Sequence, residues 1–171
     1  TFEIMLYRSA IALLVILAVI YATGAYRAIG ISRWRTHFLR NIFHFTGQNL
    51  WFYAIAVIPL AQVFALEFTT PLWVLLLSPL LLGERLTSVR FISALIGFTG
   101  ILIVARPNIE NLHPGVLAAA ASAIFFALTY VFTKRLTRTE SIAAILLYLC
   151  CFQLIFALIT AGYDGDIALP S

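Results

Sequence analysis

From Phe38 to Leu82 the sequence is apolar, with Arg40 and Glu67 its only charged residues. As one helix, this run of about 45 residues would be about 68 Å long, roughly twice the thickness of a bilayer's hydrocarbon core. It must therefore fold back on itself once. Pro59 sits near its middle. Lacking a backbone N–H and clashing with the preceding turn, it is the natural breaker. The run divides into Phe38–Ile58 and Leu60–Leu82, joined by a very tight turn.

The rest of the chain repeats this pattern of long apolar runs. Spans are expected at Ile4–Tyr26, Val89–Ala105, Gly115–Thr133 and Ile142–Ala161. Polar stops separate them, at Gly83-Glu84-Arg85, at Arg106-Pro107-Asn108 and at Lys134-Arg135. Six spans of about 20 residues use most of the 171 positions and leave no room for a separate aqueous domain. Composition agrees. The chain is 63% apolar and 11% charged, where a soluble domain carries about a quarter charged residues. With a mean hydropathy of +1.02, soluble, disordered and disulfide-scaffold classes are excluded. The fold class is all-α, a polytopic membrane helix bundle with six transmembrane helices.

The net charge of +4 reads as a topology signal, not as a nucleic-acid footprint. If the loops after the first, third and fifth spans share one side, nine of the eleven Lys and Arg lie there, including Arg40 and Arg90 at span ends. Arg8 and Arg106 remain for the other side. This bias places the first set in the cytoplasm. The N-terminal residues and the Asp164/Asp166 stretch are then outside. The chain starts at Thr1 and reads as a piece of a longer one, most simply lacking one helix before its first span. Cys150 and Cys151 point about 100° apart on one helix and act as small apolar fillers, without metal or disulfide. Ser93, Gly97 and Gly100, and the alanines of the fifth span, are expected to allow close helix packing.

Ionisable and polar groups within spans mark the candidate site, because burying them in lipid is costly. Glu67 lies eight residues past Pro59, about 12 Å below the outer end of its span. It either faces a wet cavity and binds a cationic group or a proton, or is satisfied by a neighbouring helix, with Arg8 within reach. In the second span His37, Asn41, His44 and Gln48 share one face, with Trp51 at its edge. His37 and His44 are about 10.5 Å apart along the axis, too far to share a metal. Trp51 stands eight residues before Pro59, so it and Glu67 lie at one depth, with Gln48 a turn deeper. Amide, indole and carboxylate there form a ligand shelf. The alternative for Trp51 is lipid or packing contact. Pro71 and Pro79 kink the third span, and Tyr148 and Gln153 are either lesser site residues or interhelix hydrogen bonds. No hydrolase, metalloprotease or phosphate-loop motif is present, so no catalytic residues and no cofactor are expected.

The stretches Trp51-Phe52-Tyr53-Ala54, Ile58-Pro59-Leu60-Ala61, Thr70-Pro71-Leu72, Leu82-Gly83-Glu84-Arg85-Leu86, Gly97-Phe98-Thr99-Gly100 and Arg106-Pro107 together resemble the EamA-type domain of the drug/metabolite transporter superfamily. Arg8 fits the same pattern. Gly115, its Ala-rich helix and Lys134-Arg135 resemble the opening of a second such repeat. The resemblance implies ten helices in two inverted five-helix repeats, residues 1–106 belonging to the first and 115–171 starting the second. It further implies a bacterial inner-membrane location and alternating-access transport of a small-molecule substrate such as an amino acid or related amine or acid. It favours Gln48, Trp51 and Glu67 as cavity residues, and His44 and Arg8 complete the candidate substrate-binding set. Glu84 matches the family's motif glutamate and reads as a cap or gate contact near Arg85 and Arg90. Membrane lipid is the expected surrounding, and no oligomeric state follows. The alternative is a non-transporting membrane subunit or a lipid flippase-like component.

Overall fold

The computed structural model describes residues 2–30, 33–105 and 113–164. Among the described residues the regular structure is entirely helical. Six spans appear, in the expected order. The first is α1 (Phe2–Thr23), which ends just short of Tyr26 and passes into a 3-10 turn at Ala25–Ala28. The second is α2 (Trp34–Val57). The third comes in two pieces, α3 (Leu60–Glu67) and α4 (Thr70–Leu82). The others are α5 (Ser88–Ala105), α6 (Pro114–Leu136) and α7 (Ile142–Asp164). Four spans, Leu6–Thr23, Leu60–Leu82, Pro114–Leu136 and Ile142–Thr160, are long and apolar enough to cross a membrane. The stop expected at Arg106-Pro107-Asn108 and the residue Asp166 fall outside the described residues.

The kink expected at Pro71 takes the form of an irregular turn at Phe68-Thr69, where both residues keep right-handed helical dihedrals. Pro71 has no N–H for the Glu67 carbonyl four residues back. The Thr70 hydroxyl donates to that carbonyl instead, and the Thr69 hydroxyl donates to the Leu66 carbonyl at 2.6 Å. With these side-chain donors in place the chain turns at Phe68-Thr69 and restarts as α4, Pro71 sitting in the first turn where its missing N–H costs nothing.

The helices group into two units. One comprises residues 1–45 and 133–171. In it α1 lies along α7. Phe38 and Phe45 of α2 meet Phe156 of α7, at ring-centroid separations of 6.1 and 5.5 Å. The other unit comprises residues 46–132. Its core is Ala54, Ile58, Val63, Ala118 and Ala119, with Trp51 and Leu66 packed against it. The Pro59 turn brings α2 and α3 together, and the start of α6 closes on them. A Cβ on Gly115 would come within 2.6 Å of a Val57 methyl and 2.8 Å of an Ile58 methyl, so only glycine allows this approach. Four alanines of α6, Ala118, Ala119, Ala123 and Ala127, are buried, and Ala120 and Ala121 are partly so. The stripe on α5 is not a packing seam here: among the described residues nothing lies within 4 Å of a Cβ placed on Gly97 or Gly100.

Candidate functional site

The Pro59 turn and the break at Phe68-Thr69 fix where Glu67 stands. It is the last residue of α3. Its carboxylate Oε2 accepts a hydrogen bond from Trp51 Nε1 at 2.8 Å. Equal counts of residues on either side of a hairpin place side chains at equal depth, and this bond joins the two arms at that depth. Trp51 is held in turn by the core and by an edge contact with Phe52, ring centroids 5.5 Å apart. One carboxylate oxygen is thereby anchored to a fixed donor, and the other keeps its acceptor capacity.

Beside this pair lies a cleft of about 480 Å³, lined by Glu67, Phe68, Thr70, Pro71, Val74, Phe126 and Tyr130. Phe68 and Tyr130 are exposed at its edge. Phe126 and Tyr130 stand four apart on α6 and therefore share a face. Gly47 of α2 lets that face approach: a Cβ there would sit 3.1 Å from Phe125 Cβ and 3.2 Å from the Phe126 ring. A carboxylate ringed by three aromatic side chains suits a flat apolar body carrying a positive charge or N–H donors, which carboxylate and ring faces both attract.

Gln48 is buried in the same unit, one turn from Trp51, and among the described residues its Oε1 has no hydrogen-bond partner. Neither Gln48 nor Trp51 lines the cleft directly; Trp51 reaches it through Glu67. His44 and Arg8 belong to the other unit and are not among the lining residues, which departs from the expected grouping. Phe126 and Tyr130 were not picked out by the sequence. Their four-residue aromatic spacing was the available signal, masked by the alanines around it. Gln153 proves to be an interhelix hydrogen bond, its Nε2 donating to the Asn41 carbonyl at 3.3 Å, and Tyr148 donates to the Gly30 carbonyl at 3.2 Å. At the end of α4, Glu84 forms an ion pair with Arg90 at 3.7 Å, while Arg85 is exposed. Among the described residues no three of His, Cys, Asp and Glu gather at metal-binding distances.

Comparison with known proteins gives this geometry a context. The EamA-like transporter family matches residues 1–106. The chain is 27% identical over 148 residues to an S-adenosylmethionine uptake transporter of Rickettsia felis, covering 86% of this chain and 50% of that protein. It is 34% identical over 139 residues to a riboflavin transporter of Brucella anthropi, covering 81% of this chain and 49% of that protein. A riboflavin transporter of Vibrio cholerae is 29% identical over 160 residues, covering 93% of this chain and 54% of that protein. The chain thus spans about half the length of the curated relatives it matches. One solved crystal structure superposes with a TM-score of 0.73 over 99% of this chain and 60% of its own, at 22% identity, a likeness of fold.

Proposed function

Because the chain belongs to the EamA-like transporter family, within the drug/metabolite transporter superfamily, we propose that it moves a small metabolite across the membrane by alternating access, with Glu67 as the ligand carboxylate. The protein is a multi-pass protein of the bacterial inner membrane, and its family is one of transporters, not enzymes. The observation that carries the proposal is the Trp51–Glu67 hydrogen bond at the edge of an aromatic cleft beside a broken helix. Interrupted helices and half-sheltered carboxylates are found where membrane transporters bind their cargo. In this reading the chain supplies helices two to five of one five-helix repeat, residues 1–106, and the first two of an inverted second repeat, residues 115–171. Rocking of the repeats exposes the site to each side in turn.

The substrate class proposed is a flat heteroaromatic metabolite bearing a positive charge or N–H donors. S-adenosylmethionine and riboflavin, the compounds that the relatives' names carry, both hold a flat ring system. An aromatic cleft favours such a body over a plain amino acid, since stacking area scales with the ring face. The test is uptake of labelled S-adenosylmethionine and riboflavin by the full-length protein in proteoliposomes. Saturable uptake of one of them, reduced about tenfold or more by Glu67→Gln, is the expected result. Uptake of neither compound, or undiminished uptake by the variant, overturns the substrate class or the role of Glu67 respectively.

A further inference from the structure

α2 carries a second polar group, in the unit that does not contain the cleft. Arg40 is 7% exposed. Its Nε donates to Thr133 Oγ1 of α6 at 2.9 Å, and its Nη1 donates to Asn41 Oδ1 at 3.3 Å. Both acceptors are neutral. Among the described residues no carboxylate pairs with this guanidinium. A guanidinium has five N–H donors, and among the described residues two of Arg40's are engaged. On the same helix face, one turn away, His37 is 1% exposed, and among the described residues neither of its ring nitrogens has a hydrogen-bond partner. Its ring is held against Tyr148 of α7, centroids 4.3 Å apart.

The neighbours are better satisfied. Asn41 Nδ2 donates to the His37 carbonyl at 2.7 Å, and Gln153 Nε2 donates to the Asn41 carbonyl. Among the described residues both ring nitrogens of His37 lack a partner, and Arg40 beside it spends its donors on neutral acceptors alone. A helix tie to Thr133 needs only a neutral amide. It gives no reason to bury a cation, whose desolvation a single hydroxyl and an amide do not offset. An oxyanion cancels the charge and accepts several N–H bonds at once from the planar fork of an arginine.

The geometry points to an oxyanion-binding subsite at Arg40, with His37 as its second ligand, that takes the carboxylate or phosphate of a solute or of a lipid headgroup. It is independent of Glu67, whose surroundings suit the opposite charge.

The test is thermal unfolding of the full-length detergent-solubilised protein in inorganic phosphate, against sodium chloride at equal ionic strength. Phosphate is expected to raise the melting temperature by on the order of a few degrees. Arg40→Gln is expected to abolish the shift and His37→Phe, which keeps the ring contact, to reduce it. Thr133→Val, which removes a neutral partner of Arg40, is expected to retain it. Should Arg40→Gln not fold, the phosphate shifts of His37→Phe and Arg40→Lys decide, both expected to fall below wild type. The same proteins in phosphatidylcholine vesicles with and without phosphatidylglycerol separate the sources. An Arg40-dependent gain from the anionic lipid assigns the subsite to a headgroup, and its absence, with the phosphate shift present, assigns it to a solute. Wild type showing no phosphate or lipid shift, or shifts that survive in the Arg40 and His37 variants, overturns the inference.

Discussion

Trp51 and Glu67, sixteen residues apart in sequence, meet across the Pro59 turn with indole nitrogen and carboxylate oxygen 2.8 Å apart. The bond orients the only acid of α3 and α4 toward one edge of the aromatic cleft. It also ties the two arms of the hairpin at a level where each is already packed on the same core.

Trp51→Phe keeps the ring and removes the donor. It is expected to cost about 1 kcal/mol, the net worth of one partly buried hydrogen bond. Thermal unfolding of Trp51→Phe, Glu67→Gln and the double variant measures the coupling directly. Losses smaller in combination than in sum confirm the contact, and strict additivity contradicts it.

The helix break gives a reciprocal test. Thr70→Val removes the hydroxyl that serves the Glu67 carbonyl and is expected to cost about 1 kcal/mol or slightly more, since Thr70 is buried. Pro71→Ala restores the N–H that a continuous helix would aim at the same carbonyl. It should rescue the stability of Thr70→Val while lowering uptake, because a straightened third span no longer shapes the cleft. Denaturation and proteoliposome uptake, read together, separate the two effects.

Gln48 presents a buried carbonyl oxygen without a partner among the described residues. An unsatisfied buried acceptor costs about 1–3 kcal/mol. Gln48→Leu, similar in size, is therefore expected to leave stability unchanged or raise it while reducing uptake. A large fall in melting temperature would show instead that the amide is structural.

Gly83 ends α4 with φ 67° and ψ 22°, its N–H donating to the Pro79 carbonyl at 3.1 Å. A side chain in this left-handed conformation costs about 1–2 kcal/mol. Gly83→Ala is expected to destabilise by that amount, and Gly83→Asn by less. The adjacent Glu84–Arg90 pair, with Arg90 mostly exposed, is worth little, so Glu84→Gln is expected to lower the melting temperature less than Gly83→Ala does.

The resemblance drawn from scattered short motifs and the family match rest on features that local chemistry imposes. Glycine at 83 is required by a positive φ, and proline at 59 by a turn too tight for a helix to continue. Such positions are legible one by one. The polar stripe His37, Asn41, His44 and Gln48 was legible as a stripe but not as a site: α2 runs through both units, His37, Asn41 and His44 in one and Gln48 in the other.

Six membrane spans, the fold-back at Pro59 and the shared depth of Trp51 and Glu67 follow from the sequence alone. Span length is set by bilayer thickness, and depth by a constant rise per residue. Tertiary structure decided which faces meet. It brought Phe126 and Tyr130 of α6 to Glu67, tied Arg40 to Thr133, left Gly97 and Gly100 uncovered among the described residues, and broke the third span at Phe68-Thr69. The rotation of a helix about its axis is chosen by packing against its neighbours, and no repeat along a single strand of sequence encodes it.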